Sequence, residues 1–363
     1  MGMSDPTGIS ETGSRMSRIA AVNSVLPPNR YPQAEITDAV ARMCPGADRR
    51  VLERLHRGAK VEHRHLALPL ADYEKLTGFG MANDVFIEAA LDLGAEAVAG
   101  ALAEAGLTPR DVDMIMFTSV TGIAAPSIEA RLAGRLGLRP DVKRLPVFGL
   151  GCVAGAAGIA RLHDYLRGWP EHVAVLLSVE LCSLTLQRGD VSPANLVAGA
   201  LFGDGAAAVV AVGAARGEPS HATVVASRGH LYPGSEHVMG WDVTDTGFRV
   251  VLDAGVPDVA RAHLGHDVRG FLADHGLTIG DVSAWVCHPG GPKVLEAVLE
   301  TLGLPPGALD VTWRSLAGVG NLSSASVLHV LRDTIALRPP PGTPGLLIAM
   351  GPGFCSELVL LSW

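Results

Sequence analysis

The sequence predicts an α/β protein built as two similar halves about a pseudo-dyad, and three internal likenesses carry that reading. Residues 101–120, ALAEAGLTPRDVDMIMFTSV, align with residues 271–290, FLADHGLTIGDVSAWVCHPG, at an offset of 170. At that offset Leu102, Ala103, Gly106, Leu107, Thr108, Asp111 and Val112 fall on Leu272, Ala273, Gly276, Leu277, Thr278, Asp281 and Val282. LGLRP at 136–140 answers LGLPP at 302–306, and FGDGAAAVVAV at 202–212 answers MGPGFCSELVL at 350–360. A period of about half the chain means a duplicated unit. In open α/β sheets chemistry sits where strand ends and helix starts converge.

Taken in order, β-branched and apolar runs predict strands near 18–25, 112–118, 143–148, 173–180 and 206–213 in the first half. In the second half they fall near 221–227, 282–288, 345–350 and 357–362. Helices are expected at about 85–106, 153–168, 258–275, 291–302 and 322–335. The turn-rich run GAARGEP at 213–219 divides the halves, giving an N-terminal half at 17–214 and a C-terminal half at 215–363. Residues 1–16 are polar, lack an apolar targeting core, and read as a disordered tail. The opening residues fall short of a myristoylation site, because Pro6 stands where Ser or Thr is needed.

Composition narrows the function. At 363 residues, 48% hydrophobic and 18% charged, the chain is globular and can bury a large core. A net charge of −8 argues against general nucleic-acid binding, so any anionic ligand needs a local basic patch. Apolar runs such as VAVLLSVEL at 173–181 are too short to span a bilayer. The five cysteines, at 44, 152, 182, 287 and 355, form no C-x-x-C, which points to a reducing cytoplasm. Thirteen histidines include the pairs His63/His65 and His263/His266, but neither has a third ligand at suitable spacing, so no metal site is expected.

Cys152 is the sharpest candidate. In VFGLGCVAGAAG (147–158) a strand ends, glycines turn the chain, and a small-residue helix opens at the thiol. A helix start lowers a thiol pKa and favours thiolate. The competing readings are a plain buried cysteine and a dinucleotide-binding turn on Gly149, Gly151 and Gly155. The second lacks an acidic residue at the expected distance. His288 closes the strand AWVCHPGG, and Pro-Gly-Gly after it stops the sheet and turns the ring toward a cleft. The repeat sets it opposite Thr118. Asn321, in GVGNLSSAS (318–326), lies within one residue of the position that the offset assigns to Cys152. It reads equally as a helix N-cap.

At these motifs the sequence resembles the type III polyketide synthases, the chalcone-synthase-like enzymes. The likeness rests on Cys152 in G-C-V-A-G, His288 in H-P-G-G-P, Asn321 in G-N-L-S-S-A-S and the loop Gly351-Pro352-Gly353, and runs from about residue 17 to the end. It implies an α/β fold of the thiolase-like, duplicated αβαβα five-layer kind, a cytoplasmic homodimer, acyl-CoA and malonyl-CoA as substrates, and no metal or redox cofactor. It also implies a triad. Cys152 would carry the acyl chain as a thioester, while the His288 ring N–H and the Asn321 amide would stabilise the enolate left by decarboxylation.

Other roles follow only from the resemblance. Phe202 matches an apolar gatekeeper, and Arg54, within the basic run of residues 49–64, matches a CoA contact. Val51 and Gly58 stand where plant members carry lysine. Val120, Thr121, Ala125, Thr185, Trp241, Val250 and Ser323 match cavity-lining positions. With MGWDVTDTGF (239–248), these resemble the alkylresorcinol and alkylpyrone branch, and a fatty acyl starter is expected. The rivals are a ketoacyl-carrier-protein synthase III, which lacks the Pro-Gly-Gly context and the Gly351-Pro352-Gly353 loop, and a non-catalytic acyl-binding protein, which needs no thiol at a helix start.

Overall fold

The computed structural model describes residues 16–363; the expected tail therefore lies, but for Met16, outside the described residues. The first half runs β1 (Arg18–Val25), β2 (Asn29–Pro32), α1 (Gln33–Met43), α2 (Arg49–Gly58), β3 (His63–Leu66), α3 (Phe79–Glu104) and β4 (Met114–Thr118). It continues with α4 (Ile128–Leu136), β5 (Lys143–Val147), α5 (Ala154–Gly168), β6 (Val173–Leu181), α6 (Pro193–Leu201) and β7 (Asp204–Val212). The second half holds β8 (Ala222–Leu231), β9 (Met239–Thr244), β10 (Gly247–Leu252), α7 (Val256–Ala273), β11 (Ala284–Cys287) and α8 (Pro292–Leu302). α9 (Asp310–Val319), α10 (Ser326–Ala336), β12 (Pro344–Gly351) and β13 (Cys355–Ser362) complete it.

The nine expected strands are the nine that pair into one sheet, in the order β11-β12-β13-β8-β1-β7-β6-β4-β5. Its two ends repeat each other. β4 lies parallel to β6, and β6 antiparallel to β7, as β11 lies parallel to β12, and β12 antiparallel to β13. The halves meet where β1 and β8 pair, Arg18 opposite Thr223 and Ile19 opposite Ala222.

The repeat holds atom by atom. Thr108 N–H and Oγ1–H both donate to Asp111 Oδ2, and Thr278 makes the same two bonds to Asp281. Gly106 and Gly276, which close the preceding helices, both sit at φ +69°.

Every position of β6 and β7 is buried, as expected of strands covered on both faces. Three apolar clusters account for this. α3 covers the outer face of the first half of the sheet, and α7 and α8 cover that of the second. α5 and α10 share the core between the two halves of the sheet. Helix, sheet, helix, sheet, helix is the thiolase-like five-layer arrangement.

Two two-stranded antiparallel sheets, β2–β3, whose strands are joined through α1 and α2, and the hairpin β9–β10, stand apart from the main sheet. Along with α1, α4, α6 and α9, they go beyond the elements expected from the sequence, although α1 and α4 do carry an apolar face, Ile36, Ala39 and Val40 in one and Ile128 and Leu132 in the other. NRYP and HRHL carry no alternation of apolar residues, and PANLVAGAL is nearly uniform round its circumference. α10 begins four residues later than expected, because Ser323–Ala325 form a tighter turn first and Ser323 adopts φ +48°.

Candidate active site

Cys152 sits in a short turn, Gly151–Val153, that leads into α5. The corresponding turn of the second half, Ser323–Ala325, leads from Asn321 into α10. The two helix starts touch: a Cβ placed on Gly155 would lie 2.4 Å from the Ser324 carbonyl oxygen. That contact explains the small residues after Cys152. The Gly351-Pro352-Gly353 loop packs on the other side, and a Cβ on Gly351 would lie 2.7 Å from the Val153 nitrogen. These residues buttress the thiol turn, while Met350 and Phe354 on either side of them line the cavity.

A small cavity of about 40 Å³ is lined by Cys152, His288 and Asn321, with Phe202, Leu201, Met239, Val256 and other apolar residues. The structure therefore brings together three side chains separated by up to 169 positions in sequence. His288 is placed by its backbone N–H, which donates to Ile348 O at 2.8 Å at the end of β11. It is 5% exposed, and neither ring nitrogen has a hydrogen-bond partner. A buried imidazole left so costs stability unless a ligand completes it.

Asn321 Oδ1 accepts from Ser323 N–H at 2.8 Å and from Ser326 Oγ–H at 3.5 Å. The amide oxygen thus caps the helix start, which leaves the NH2 group for the cavity. The Cys152 thiol donates to Ser323 Oγ at 3.6 Å.

Burial pushes the Cys152 thiol up to about 12, with the nearby Glu180 carboxyl adding to the rise and the Ser323 bond opposing it. This differs from the lowered value that a helix start alone predicts, because the thiol is desolvated. Burial likewise draws the His288 imidazole down to about 3. Each charge is disfavoured when it forms alone. A proton passing from Cys152 to His288 makes both charges at once with no change in net charge, and the thiolate then lies at the start of α5.

A second cavity of about 40 Å³ adjoins the first through Phe202, which lines both. Thr185 and Val250 lie here, with Cys182, Ser183 and Tyr73. The remaining expected cavity residues lie elsewhere. Val120 N–H and Thr121 Oγ1–H donate to Glu180 Oε2 at 3.1 and 3.0 Å, and Ser119 joins them at 3.2 Å. Ser324 Oγ–H donates to the other oxygen of the same carboxyl. Glu180 is wholly buried on β6, and burial raises its pKa. The sequence offered no sign of this hub, since one Glu in an apolar strand looks like any other. Trp241 packs on Phe248, ring centroids 6.1 Å apart, and lines neither cavity. Ala125 is exposed on the loop before α4 and also lines neither.

Asp48 caps α2 by accepting from Arg50 and Val51 N–H, and Arg54 is exposed on this helix. A surface groove of about 840 Å³ borders the same helix; Arg49, Arg57 and Lys60 line it, with Trp313 and Glu296 opposite, and Arg54 does not. The paired histidines have ordinary roles: His65 Nδ1–H donates to Pro27 O at 2.6 Å and His263 stacks on Tyr232.

Comparison with known proteins agrees with this geometry. The chain matches the N-terminal domain of chalcone and stilbene synthases over residues 9–216 and the C-terminal domain over 223–362. It is 62% identical over 354 residues to a 1,3,6,8-tetrahydroxynaphthalene synthase of Streptomyces peucetius subsp. caesius, covering 96% of this chain and 94% of that one. A putative chalcone synthase of Bacillus subtilis is 36% identical, over 85% of this chain and 87% of the other. The crystal structure of the Streptomyces coelicolor 1,3,6,8-tetrahydroxynaphthalene synthase, described as a bacterial type III polyketide synthase, superposes with a TM-score of 0.90 at 30% identity. It covers 95% of this chain and 99% of that one. With a duplicated five-layer fold, and both domain models matched in order, the chain belongs to the chalcone and stilbene synthase family, and it is a type III polyketide synthase, an acyltransferase.

Proposed function

We propose that this enzyme condenses malonyl-CoA alone into a tetrahydroxynaphthalene-type product, with Cys152, His288 and Asn321 as its catalytic residues. The observation that carries the catalytic part is the His288 ring, buried with both nitrogens unpartnered in a cavity that also holds the thiol and the Asn321 amide. Cys152 passes its proton to His288, attacks a malonyl thioester and expels CoA. A second malonyl group enters and loses CO2 with its carboxylate against the apolar Phe202 wall. The enolate oxygen accepts from the His288 N–H and the Asn321 NH2, and its carbon attacks the thioester on Cys152. Five malonyl units supply the ten carbons of a naphthalene, with release of five CO2, five CoA and one water on ring closure.

Substrate choice rests on the relative that is 62% identical and named for this product. The fatty acyl starter expected from the sequence has no such support. Ala125, a residue on which that expectation leaned, lies outside both cavities. The finer roles are part of the same reading: Thr185 and Val250 bound the growing chain, Val120, Thr121 and Ser323 hold the Glu180 and Cys152 surroundings, and Arg54 meets CoA phosphate.

The halves at 17–214 and 215–363 then carry the nucleophile and the His–Asn pair respectively. A cytoplasmic homodimer completes the proposal. Edge strand β5 is exposed along most of its length, and Leu145 on it and Phe148 just after it present apolar surface, Phe148 at 51% exposure. No helix among the described residues is long and apolar enough to cross a membrane.

The test is to incubate the purified protein with carbon-labelled malonyl-CoA and no other thioester, and to identify the product by mass. A ten-carbon aromatic polyol carrying label throughout is expected. Product that appears only when a different acyl-CoA is added would overturn the starter assignment.

A further inference from the structure

Arg64 is 3% exposed on β3, in a two-stranded sheet that takes no part in the main one. Among the described residues its guanidinium hydrogen-bonds only to uncharged groups, with the Asp204 carboxyl as a nearby opposite charge. Nη1 donates to Phe202 O at 2.7 Å, Nη2 to Gly199 O at 2.8 Å, and Nε to Gln33 Oε1 at 3.1 Å. Gln33 Nε2–H in turn donates to Ala200 O at 2.7 Å. All three carbonyls belong to the last turn of α6 and its cap residue, Phe202. A cation at a helix C-terminus satisfies both the dipole and the orphan carbonyls there. A buried arginine is nonetheless costly, and apolar packing could have closed this space without it.

What the arginine holds is the junction of the active site. Leu201 O accepts from Asn321 N–H, and Gly203 N–H donates to Asn321 O, both at 2.9 Å, so the backbone on each side of Phe202 is tied to Asn321. Phe202 separates the two cavities, and Asn321 stands in the first. We propose that Arg64 is a positioning residue for malonyl decarboxylation: it fixes Phe202 as the partition between the cavities, and through that backbone bridge sets the Asn321 NH2 toward the reacting carbon. The charged fork does this better than a neutral group because three acceptors from two elements converge on one rigid plane. Arg64 borders the second cavity but does not line the one that holds the thiol, and its effect on decarboxylation passes through Phe202 and Asn321. The idea rests on the catalytic reading of Asn321 and Phe202 given above.

The experiment compares wild type, Arg64→Lys and Gln33→Ala in three assays. These are acylation of Cys152 by a short acyl-CoA, followed by protein mass; release of CO2 from malonyl-CoA with its kcat and KM; and the length of the polyketides released. Lys keeps the charge and the stem but loses the fork. Arg64→Lys is expected to acylate within about threefold of wild type, to lose tenfold or more in kcat for decarboxylation at near-constant KM, and to release shorter chains. Gln33→Ala should show the same split more weakly, since it frees the fork on one side only.

Equal losses in acylation and decarboxylation would mean a merely structural role, and unchanged decarboxylation would mean none; either overturns the proposal. Should Arg64→Lys not fold, a Gln33→Ala variant indistinguishable from wild type in all three assays overturns it as well. A wild-type protein that releases no CO2 from malonyl-CoA would instead sink the catalytic reading on which the proposal stands.

Discussion

At Asn321 the two ends of one amide are set to different tasks, since Oδ1 accepts from Ser323 and Ser326 while the NH2 group is left for the cavity. The sequence allowed both a cap and an enolate donor; the cap is observed at Oδ1, and the NH2 group is left for the donor role proposed above. Substitution can separate them. Asn321→Asp keeps an acceptor at the helix start, where Asp caps as well as Asn, but removes the donor and adds charge of the wrong sign. Decarboxylation of malonyl-CoA should fall by about 10²–10³, the usual cost of one lost oxyanion donor, and acylation of Cys152 should fall less, the added carboxylate opposing thiolate formation as Glu180 does, while the buried charge lowers the unfolding temperature. Decarboxylation at the wild-type rate would leave Asn321 as a cap alone.

Helices α5 and α10 place the thiol and the amide, and their starts are in contact because Gly155 has no side chain. A methyl group there would meet Ser324 O at 2.4 Å and Val327 Cγ1 at 2.6 Å. Ser324 has little freedom to retreat, as its hydroxyl is tied to Glu180 and to Ser178. Gly155→Ala is therefore expected to destabilise the protein by about 1–3 kcal/mol, the range for overpacking a filled core. It should also lower turnover, since Cys152 and Asn321 ride on the two displaced starts. Urea midpoints and kcat measured on the same preparation check both; an unshifted midpoint with full activity would show that the helices part at no cost.

Over the whole molecule, four buried histidines, His56, His163, His288 and His329, lower the stability in acid, opposed by the buried Asp204 carboxyl, which burial raises to about 6. Burial draws His56, His288 and His329 each down to about 3, from an ordinary value of about 6.5. Below about pH 6.5 the unfolded chain takes up these protons while the fold refuses them until about pH 3. Stability is therefore present above the unfolded value and is lost as pH falls through that window. Each such proton contributes a slope of about 1.4 kcal/mol per pH unit. The unfolding temperature should drop steadily from pH 6 to pH 4, and His329→Gln, which keeps an N–H for Ala206 O, should make that decline shallower. Parallel curves for the two proteins would show that His329 takes its proton in the folded state as readily as outside it.

The duplication, the nine sheet strands and the Cys–His–Asn set could all be read from the sequence, because each leaves a local mark: repeated caps such as Thr108–Asp111 and Thr278–Asp281, β-branched runs, glycines and small residues at helix starts. The turn before α10, the β2–β3 pair and α6 left no such mark. They are short, and packing rather than periodicity determines them. Sequence could name Cys152 as a helix-start thiol, but its desolvation follows from walls supplied by distant segments, and burial reversed the expected direction of its pKa. In the same way nothing local announced Glu180 or Arg64. A buried charge is recognised by what surrounds it, and only the folded chain assembles the carbonyls of α6 around Arg64 and the hydroxyls of Ser119, Thr121 and Ser324 around Glu180.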